Sequence, residues 1–143
     1  MEHANYVYTT GMNDAELEDR LRTGSHGVLA LADGDDAYAV SLHYHYDGDR
    51  FLLRMSDHDG DAEKRRYLET TDTATFICHE TTADDSWSVH VRGPVCRSDR
   101  DVDETTLNEW FPPFRLFDEA VEDVEFALYE LEPASVTGRV TID

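Results

Sequence analysis

Fixed positive charge is scarce in this sequence. Its 143 residues include 12 Lys and Arg against 32 Asp and Glu, which gives a formal net charge of −20 at pH 7. A surface so acidic repels nucleic acids and anionic membranes, because both are polyanions. Since the acidic residues are spread through nearly every turn, we interpret them as a surface adapted to high salt, where screening damps self-repulsion. We therefore expect neither nucleic-acid binding nor membrane association.

Long apolar runs and several common catalytic motifs are missing as well. No apolar stretch approaches the roughly 18 residues that span a bilayer, and the first residues have neither a basic leader nor an apolar signal core. Without a GxGxxG, P-loop or GxSxG motif, the sequence gives no support to a Rossmann-type dinucleotide site, nucleotide hydrolysis or a serine hydrolase. We expect a cytoplasmic protein whose residues 1–143 form a single domain.

Cysteine is represented only by Cys78 and Cys96. Both lie in apolar contexts, without CxxC or metal-site spacing. The sequence therefore predicts two buried free thiols, and neither a disulfide nor a zinc site.

The rest of the chain has mostly β-strand patterning. Asn13 and Glu16 predict a capping box at the start of a helix that ends near Arg22, and further short helices are predicted over residues 61–71 and 103–110. A predicted strand begins at Gly27, another covers Ala37–Tyr46, and four more lie in the segments RFLLRMS, ATFICHE, SWSVHVRGPV and VEFALYELEPASVTG. Six strands with short helices predict a mainly β fold, a six-stranded antiparallel barrel.

The strand Ala37–Tyr46 alternates strictly between two faces. One face carries Tyr38, Val40, Leu42, Tyr44 and Tyr46, and the other carries Ala39, Ser41, His43 and His45. The DGD sequence at Asp47–Asp49 predicts a hairpin turn into the next strand. Two imidazoles on one face of a strand can bind a metal. Metal-binding barrels of the cupin type also need a Glu and a distant His at characteristic spacings, and the residues after His45, YDGDRF, contain no Glu. We favour a solvated polar face and keep a metal site at His43 and His45 as a third hypothesis.

A group of anion-binding residues follows on the predicted strands. Arg54 and Ser56 end one strand, the only lysine, Lys64, lies near the start of the next helix, and Ser88 lies on a later strand. Two cations and two hydroxyls near a helix N-terminus can hold a phosphate through charge-assisted hydrogen bonds. The alternative, which spacing does not exclude, is that Arg54 pairs with a neighbouring Asp and that Lys64 is a solvated helix residue.

The order of these segments resembles the FMN-binding split-barrel family that includes pyridoxamine 5′-phosphate oxidase and the nitroimidazole-resistance flavoproteins. The resemblance covers residues 14–95, from the glycine-led strand GVLALAD to SWSVHVRGPV, and TGR at Thr137–Arg139 resembles the family's ending. It implies an FMN-binding split β-barrel in which the backbone around Val40, Ser41 and Leu42 follows the isoalloxazine ring. It also implies that Arg54, Ser56 and Lys64 hold the phosphate, that Met55 contributes to the cofactor site, and that Trp87 and Ser88 flank the cofactor from a neighbouring strand.

The resemblance further implies a homodimer with the cofactor at the subunit interface, and a flavin-dependent oxidoreductase that takes electrons from a donor and acts on a small-molecule substrate. A second hypothesis is a binding module without turnover that holds flavin, the deazaflavin F420 or haem. The aromatic segment WFPPFRLF, Trp110–Phe117, is expected to be covered by the second subunit or to close one end of its own barrel.

Overall fold

The computed structural model of the protein describes residues 9–56, 62–111 and 126–142. These residues form nine strands and three helices. In chain order the elements are β1 (Thr9–Gly11), α1 (Asp14–Thr23), β2 (His26–Asp33), β3 (Asp36–Tyr46), β4 (Phe51–Ser56), α2 (Ala62–Thr70), β5 (Ala74–Thr81), β6 (Ser86–Gly93), β7 (Val95–Arg97), α3 (Glu104–Trp110), β8 (Phe126–Leu131) and β9 (Ser135–Thr141). None of the described helices has the length and apolar character needed to cross a membrane.

All the strands belong to one antiparallel sheet, in the order β1-β9-β6-β5-β2-β3-β4-β8-β7. The sheet curls around an apolar core to which almost every strand contributes. The fully buried side chains of this core include Leu29, Phe51, Phe76, Val89 and Leu131. The prediction of a mainly β split barrel is therefore confirmed.

The first helix forms as its sequence predicts. The Asn13 side chain accepts a hydrogen bond from Glu16 N at 2.9 Å, and the Glu16 carboxylate accepts one from Asn13 N at 3.3 Å, which completes a capping box. Leu17 and Leu21 turn into the core. The Tyr44 hydroxyl donates a hydrogen bond to Leu21 O at 2.8 Å, so the helix is tied to β3 near its C-terminal end.

The alternation of β3 also matches the predicted pattern. Leu42 and Tyr44 are buried, whereas Ser41 on the opposite face is exposed. After β3 the turn closes the expected hairpin, because the Asp47 carboxylate accepts hydrogen bonds from the two backbone N–H groups that begin the return into β4. Gly48 has φ +95°, a conformation that favours glycine, at the tip of this turn.

The predicted number of strands, six, is wrong, because the described residues form nine. The segment SWSVHVRGPV gives two strands, β6 and β7, which are separated at Pro94, a residue without an N–H for the ladder. The last predicted strand also gives two, β8 and β9, with Pro133 between them. The three-residue β1 is too short to show periodicity and is defined by its pairing with β9.

The two cysteines differ in environment. Cys78 lies in the core on β5, with 1% of its surface exposed, as predicted. Cys96 is exposed, so the prediction that it is buried is wrong. The reason is that Cys96 lies on β7, which pairs only with β8 at the edge of the sheet.

Candidate functional site

The predicted site residues on β3 and β4 are divided between two faces of the sheet. Val40, Leu42 and Met55 face the core, and Met55 is only 3% exposed. Ser41 and Arg54 lie on the opposite, outer face, as the alternation of a strand requires. Ser56 ends β4 opposite Phe126 of β8. The outer face of β3–β4 therefore presents polar side chains and backbone over an apolar layer.

Arg54 is half-buried on this face and is contacted by two aromatic rings. Its guanidinium carbon lies 4.4 Å from the ring centre of Phe126 and 5.3 Å from that of Phe111. Nη1 donates a hydrogen bond to the backbone carbonyl of Phe111 at 3.3 Å, just after α3 ends. Burial lowers the pKa of Arg54, but an arginine remains charged at neutral pH. Neither interpretation from the sequence included these contacts with α3 and β8.

Lys64 occupies the third position of α2 and is buried, with 7% of its surface exposed. The same inward side of the helix carries Tyr67 and Leu68, and the Tyr67 ring stacks on Tyr38 of β3 with centroids 5.0 Å apart. The end of the helix is fastened to β2, because Ala32 N donates a hydrogen bond to the hydroxyl of Thr71 at 2.9 Å. The alternative interpretation of Lys64 as a solvated helix residue is therefore wrong, since packing of α2 against β2 and β3 draws this side chain inward.

The two histidines of β3 share the outer face but have different neighbours. His45 stacks on Trp110 of α3, with ring centroids 4.4 Å apart and planes only 7° from parallel. His43 lies opposite Arg54 in the ladder, and its ring meets that of His26 at 6.3 Å, edge to face. Burial lowers the pKa of both His43 and His45, so both are mainly neutral at pH 7.

A metal centre at these histidines is not supported. Within residues 9–56, 62–111 and 126–142, no three His, Cys, Asp or Glu side chains group closely enough to hold an ion. His45 is used instead to fix the C-terminal end of α3 on the outer face of the sheet.

Trp87 and Ser88 lie on a strand that does not pair with the strand of Arg54. They belong to β6, which is separated from β4 by β5, β2 and β3. Four strand spacings of about 4.8 Å correspond to about 19 Å along the sheet. Trp87 faces the core and is covered by Arg20 of α1, whose guanidinium carbon lies 5.3 Å from the ring centre. Half-buried Ser88 points to the other face, between His79 and Arg139 in the ladder.

The structure therefore brings together only part of the predicted set. Arg54, Met55 and Ser56 share β4, which is hydrogen-bonded to β3 and is followed in sequence by the segment that leads to α2 and Lys64. The aromatic side chains around this region, Trp110, Phe111 and Phe126, were not predicted to contact the site residues. The WFPPFRLF segment was the only signal in the sequence that pointed to two of them. Residues 112–117 of that segment lie outside the described residues.

A curled antiparallel sheet, a capped first helix and a second helix with a buried lysine in its first turn define a split β-barrel of the pyridoxamine 5′-phosphate oxidase-like fold. The family model described as pyridoxamine 5′-phosphate oxidase matches residues 13–140. The chain therefore belongs to the pyridoxamine 5′-phosphate oxidase family.

Solved structures of low sequence identity share the fold. An FAD-binding protein from Mesorhizobium loti is 17% identical, with a TM-score of 0.70 over 94% of this chain and 99% of that one. The FAD-binding protein from Mycobacterium smegmatis is 16% identical, with a TM-score of 0.66 over 93% and 100% of the two chains. HutZ, the haem storage protein from Vibrio cholerae, is 13% identical, with a TM-score of 0.60 over 86% and 92%. No curated protein matches the sequence.

Proposed function

We propose that this protein binds FMN and acts as a flavin-dependent oxidoreductase on a small organic molecule. The observation that carries the proposal is the position of Lys64, the only lysine, which is buried in the first turn of α2. This helix packs on β2, and its Tyr67 stacks on Tyr38 of β3. Its ammonium group is a compact charge with three donors, and the first turn of a helix adds outward-pointing N–H groups. Together they suit a phosphomonoester, which carries about −1.5 to −2 charges at neutral pH.

The residues of β4 fit the same ligand. The Arg54 guanidinium has five N–H donors, and the described contacts use Nη1 for the Phe111 carbonyl, so other donors of the fork can serve a phosphate. The aromatic rings of Phe111 and Phe126 restrain the guanidinium plane, which lowers the entropy lost when a ligand is bound. In this proposal Arg54, Ser56 and Lys64 hold the phosphate, and Met55 packs beneath them.

The ring of the cofactor lies along the outer face of β3 in the proposed complex. Ser41 is exposed there, and the inward side chains of Val40 and Leu42 fix the backbone of the strand to the core. A flavin bound at this place supplies the redox chemistry, while the protein's own residues orient it and exclude water from one of its faces. His43, mainly neutral at pH 7, lies two residues after Ser41 on the same face of β3 and can give or accept a proton there.

A second copy of the chain completes the proposed site. Trp87 and Ser88 lie on β6, which is separated from β4 by three strands, so neither is a ladder neighbour of Arg54 within one chain. A two-fold dimer formed by the outer faces would bring Ser88 of one subunit to the β3–β4 region of the other, while Trp87 stays beneath it in the core of its own subunit. Val28 and Ile77, half-buried apolar residues paired on that face, are suited to such an interface.

A second candidate is a binding module that holds flavin, deazaflavin or haem without turnover. The likeness in fold to a haem storage protein favours it, as do the exposed histidines His26 and His90 on the outer face, since imidazole is a common axial ligand of haem iron.

Reconstitution distinguishes these candidates. The purified protein is mixed with excess FMN, FAD, riboflavin or haem, passed through a desalting column and examined by absorption spectroscopy. We expect retained flavin bands with FMN, and a sedimentation mass of two chains. Retention of haem with its Soret band, together with loss of every flavin, would favour the binding module that holds haem without turnover. A sedimentation mass of one chain with FMN bound would contradict a flavin site at the subunit interface. Oxidation of reduced nicotinamide by the FMN-loaded protein would then distinguish an enzyme from a module.

A further inference from the structure

A small cleft lies between α2 and the edge of the sheet, apart from the proposed flavin site. Its volume is about 250 Å³, and Tyr129 of β8 forms part of its wall. The other lining residues come in equal numbers from α2 and β7: Arg65, Leu68, Glu69, Val95, Cys96 and Arg97. Neither Arg54 nor Lys64 is among them, so the cleft and the flavin site use different residues.

The charge of the lining is opposite to that of the protein. Two arginines and one glutamate face the cleft, whereas the whole chain has a formal charge of −20. None of the ion pairs formed within residues 9–56, 62–111 and 126–142 uses Arg97. In a strongly acidic protein a local excess of cations provides one of the few places where a small anion is attracted at short range.

Size and apolar surface narrow the class of ligand. Pockets for ordinary small molecules have about 300–1,000 Å³, so a cleft of about 250 Å³ suits a single ring or short chain and excludes a tricyclic flavin with its tail. Leu68, 9% exposed, and half-buried Val95 offer apolar contacts beside the arginines. We infer that this cleft is a second ligand site, and that it binds a small carboxylate with an apolar body, such as an aromatic carboxylate.

Cys96 provides a reporter within the cleft. It is exposed, whereas Cys78 is buried and burial raises the pKa of the Cys78 thiol to about 12, so one thiol per chain should react rapidly. Dithiobis(nitrobenzoate) carries a carboxylate on each aromatic ring, and dithiodipyridine is a neutral disulfide of similar reactivity. In both reactions the Cys96 thiolate attacks one sulfur, a mixed disulfide forms, and the other half of the reagent leaves as a thiolate or thione that absorbance measures.

The measured quantity is the ratio of the two labelling rates, anionic reagent over neutral reagent, in the folded protein at one moderate salt concentration. A change in the intrinsic reactivity of the thiol affects both reagents and cancels in the ratio. We expect Arg65→Gln and Arg97→Gln each to lower the ratio by about 1.5- to fivefold, the range for exposed charge pairs. Glu69→Gln should raise the ratio by a similar factor.

Arg92→Gln is the matched control, because Arg92 is an exposed arginine of β6 outside the cleft. The ratio should stay unchanged in this variant, and benzoate should slow labelling of the wild type more than the neutral benzamide does. The proposal is overturned if Arg97→Gln and Glu69→Gln leave the ratio unchanged, if Arg92→Gln lowers it equally, or if benzoate and benzamide protect Cys96 to the same extent. Should an arginine variant fail to fold, Glu69→Gln and the benzoate comparison still decide the question.

Discussion

Replacement of Lys64 by methionine separates phosphate recognition from recognition of the flavin ring. Methionine keeps an unbranched, flexible apolar stem in a position where only 7% of the lysine surface is exposed, so the packing of α2 should change little. A hydrogen bond to a charged group contributes about 1.5–3 kcal/mol, which corresponds to a loss of roughly ten- to 150-fold in affinity. Because the Lys64 side chain is buried, we apply no further reduction for screening. We expect this loss for FMN and no loss for riboflavin, which lacks the phosphate.

The assay is titration of both flavins into wild type and variant, followed by quenching of flavin fluorescence. Arg66→Met is the matched control on the same helix, since Arg66 is exposed and lies 3.7 Å from the carboxylate of Asp33. In that variant FMN affinity should fall less than twofold. Equal losses of FMN and riboflavin affinity in Lys64→Met, or no loss of either, would refute the assignment of Lys64 to the phosphate.

Three further outcomes are expected. Gly93→Ala should lower the free energy of unfolding by about 1–3 kcal/mol, because a Cβ there would clash with the carbonyl oxygen of Glu132. Chemical denaturation measures this loss against the control Gly11→Ala, where a Cβ would have nothing within 4 Å. Equal stabilities of the two variants would contradict the prediction. Burial lowers the pKa of His45 below 6.5, so the stability that depends on its neutral form is lost as the pH falls below about 6.5. His45→Phe keeps an aromatic ring stacked on Trp110 and should therefore reduce the loss of folding stability between pH 7 and pH 5. An unchanged loss would show that protonation of His45 does not cause it. FMN affinity should rise or stay level as the KCl concentration goes from moderate to molar, over the range in which circular dichroism shows a constant fold. The reason is that salt screens the long-range repulsion between FMN and the −20 charge of the protein before it weakens short contacts. A steady fall in affinity would show that attraction by the local cations dominates.

The sequence by itself determined the features that depend on neighbours along the chain. The capping box at Asn13 and Glu16 needs only residues three positions apart, and it is present as predicted. The two-residue alternation of β3 identified its buried face, because a strand that covers one core must separate apolar from polar side chains. The DGD sequence identified the hairpin through local side-chain-to-backbone hydrogen bonds. The order of these segments was sufficient to recognise the family.

Only the tertiary structure decided which side chains meet across the sheet. Arg54 contacts Phe111, 57 positions away, and Phe126 on another strand, and no local pattern encodes such pairs. Cys96 has an ordinary strand context, but β7 lies at the edge of the sheet and leaves it exposed. Strand order also separates Ser88 from Arg54 within one chain, although the sequence placed both in a single site. These outcomes depend on long-range pairing, which is selected by the burial of the whole core rather than by any one segment.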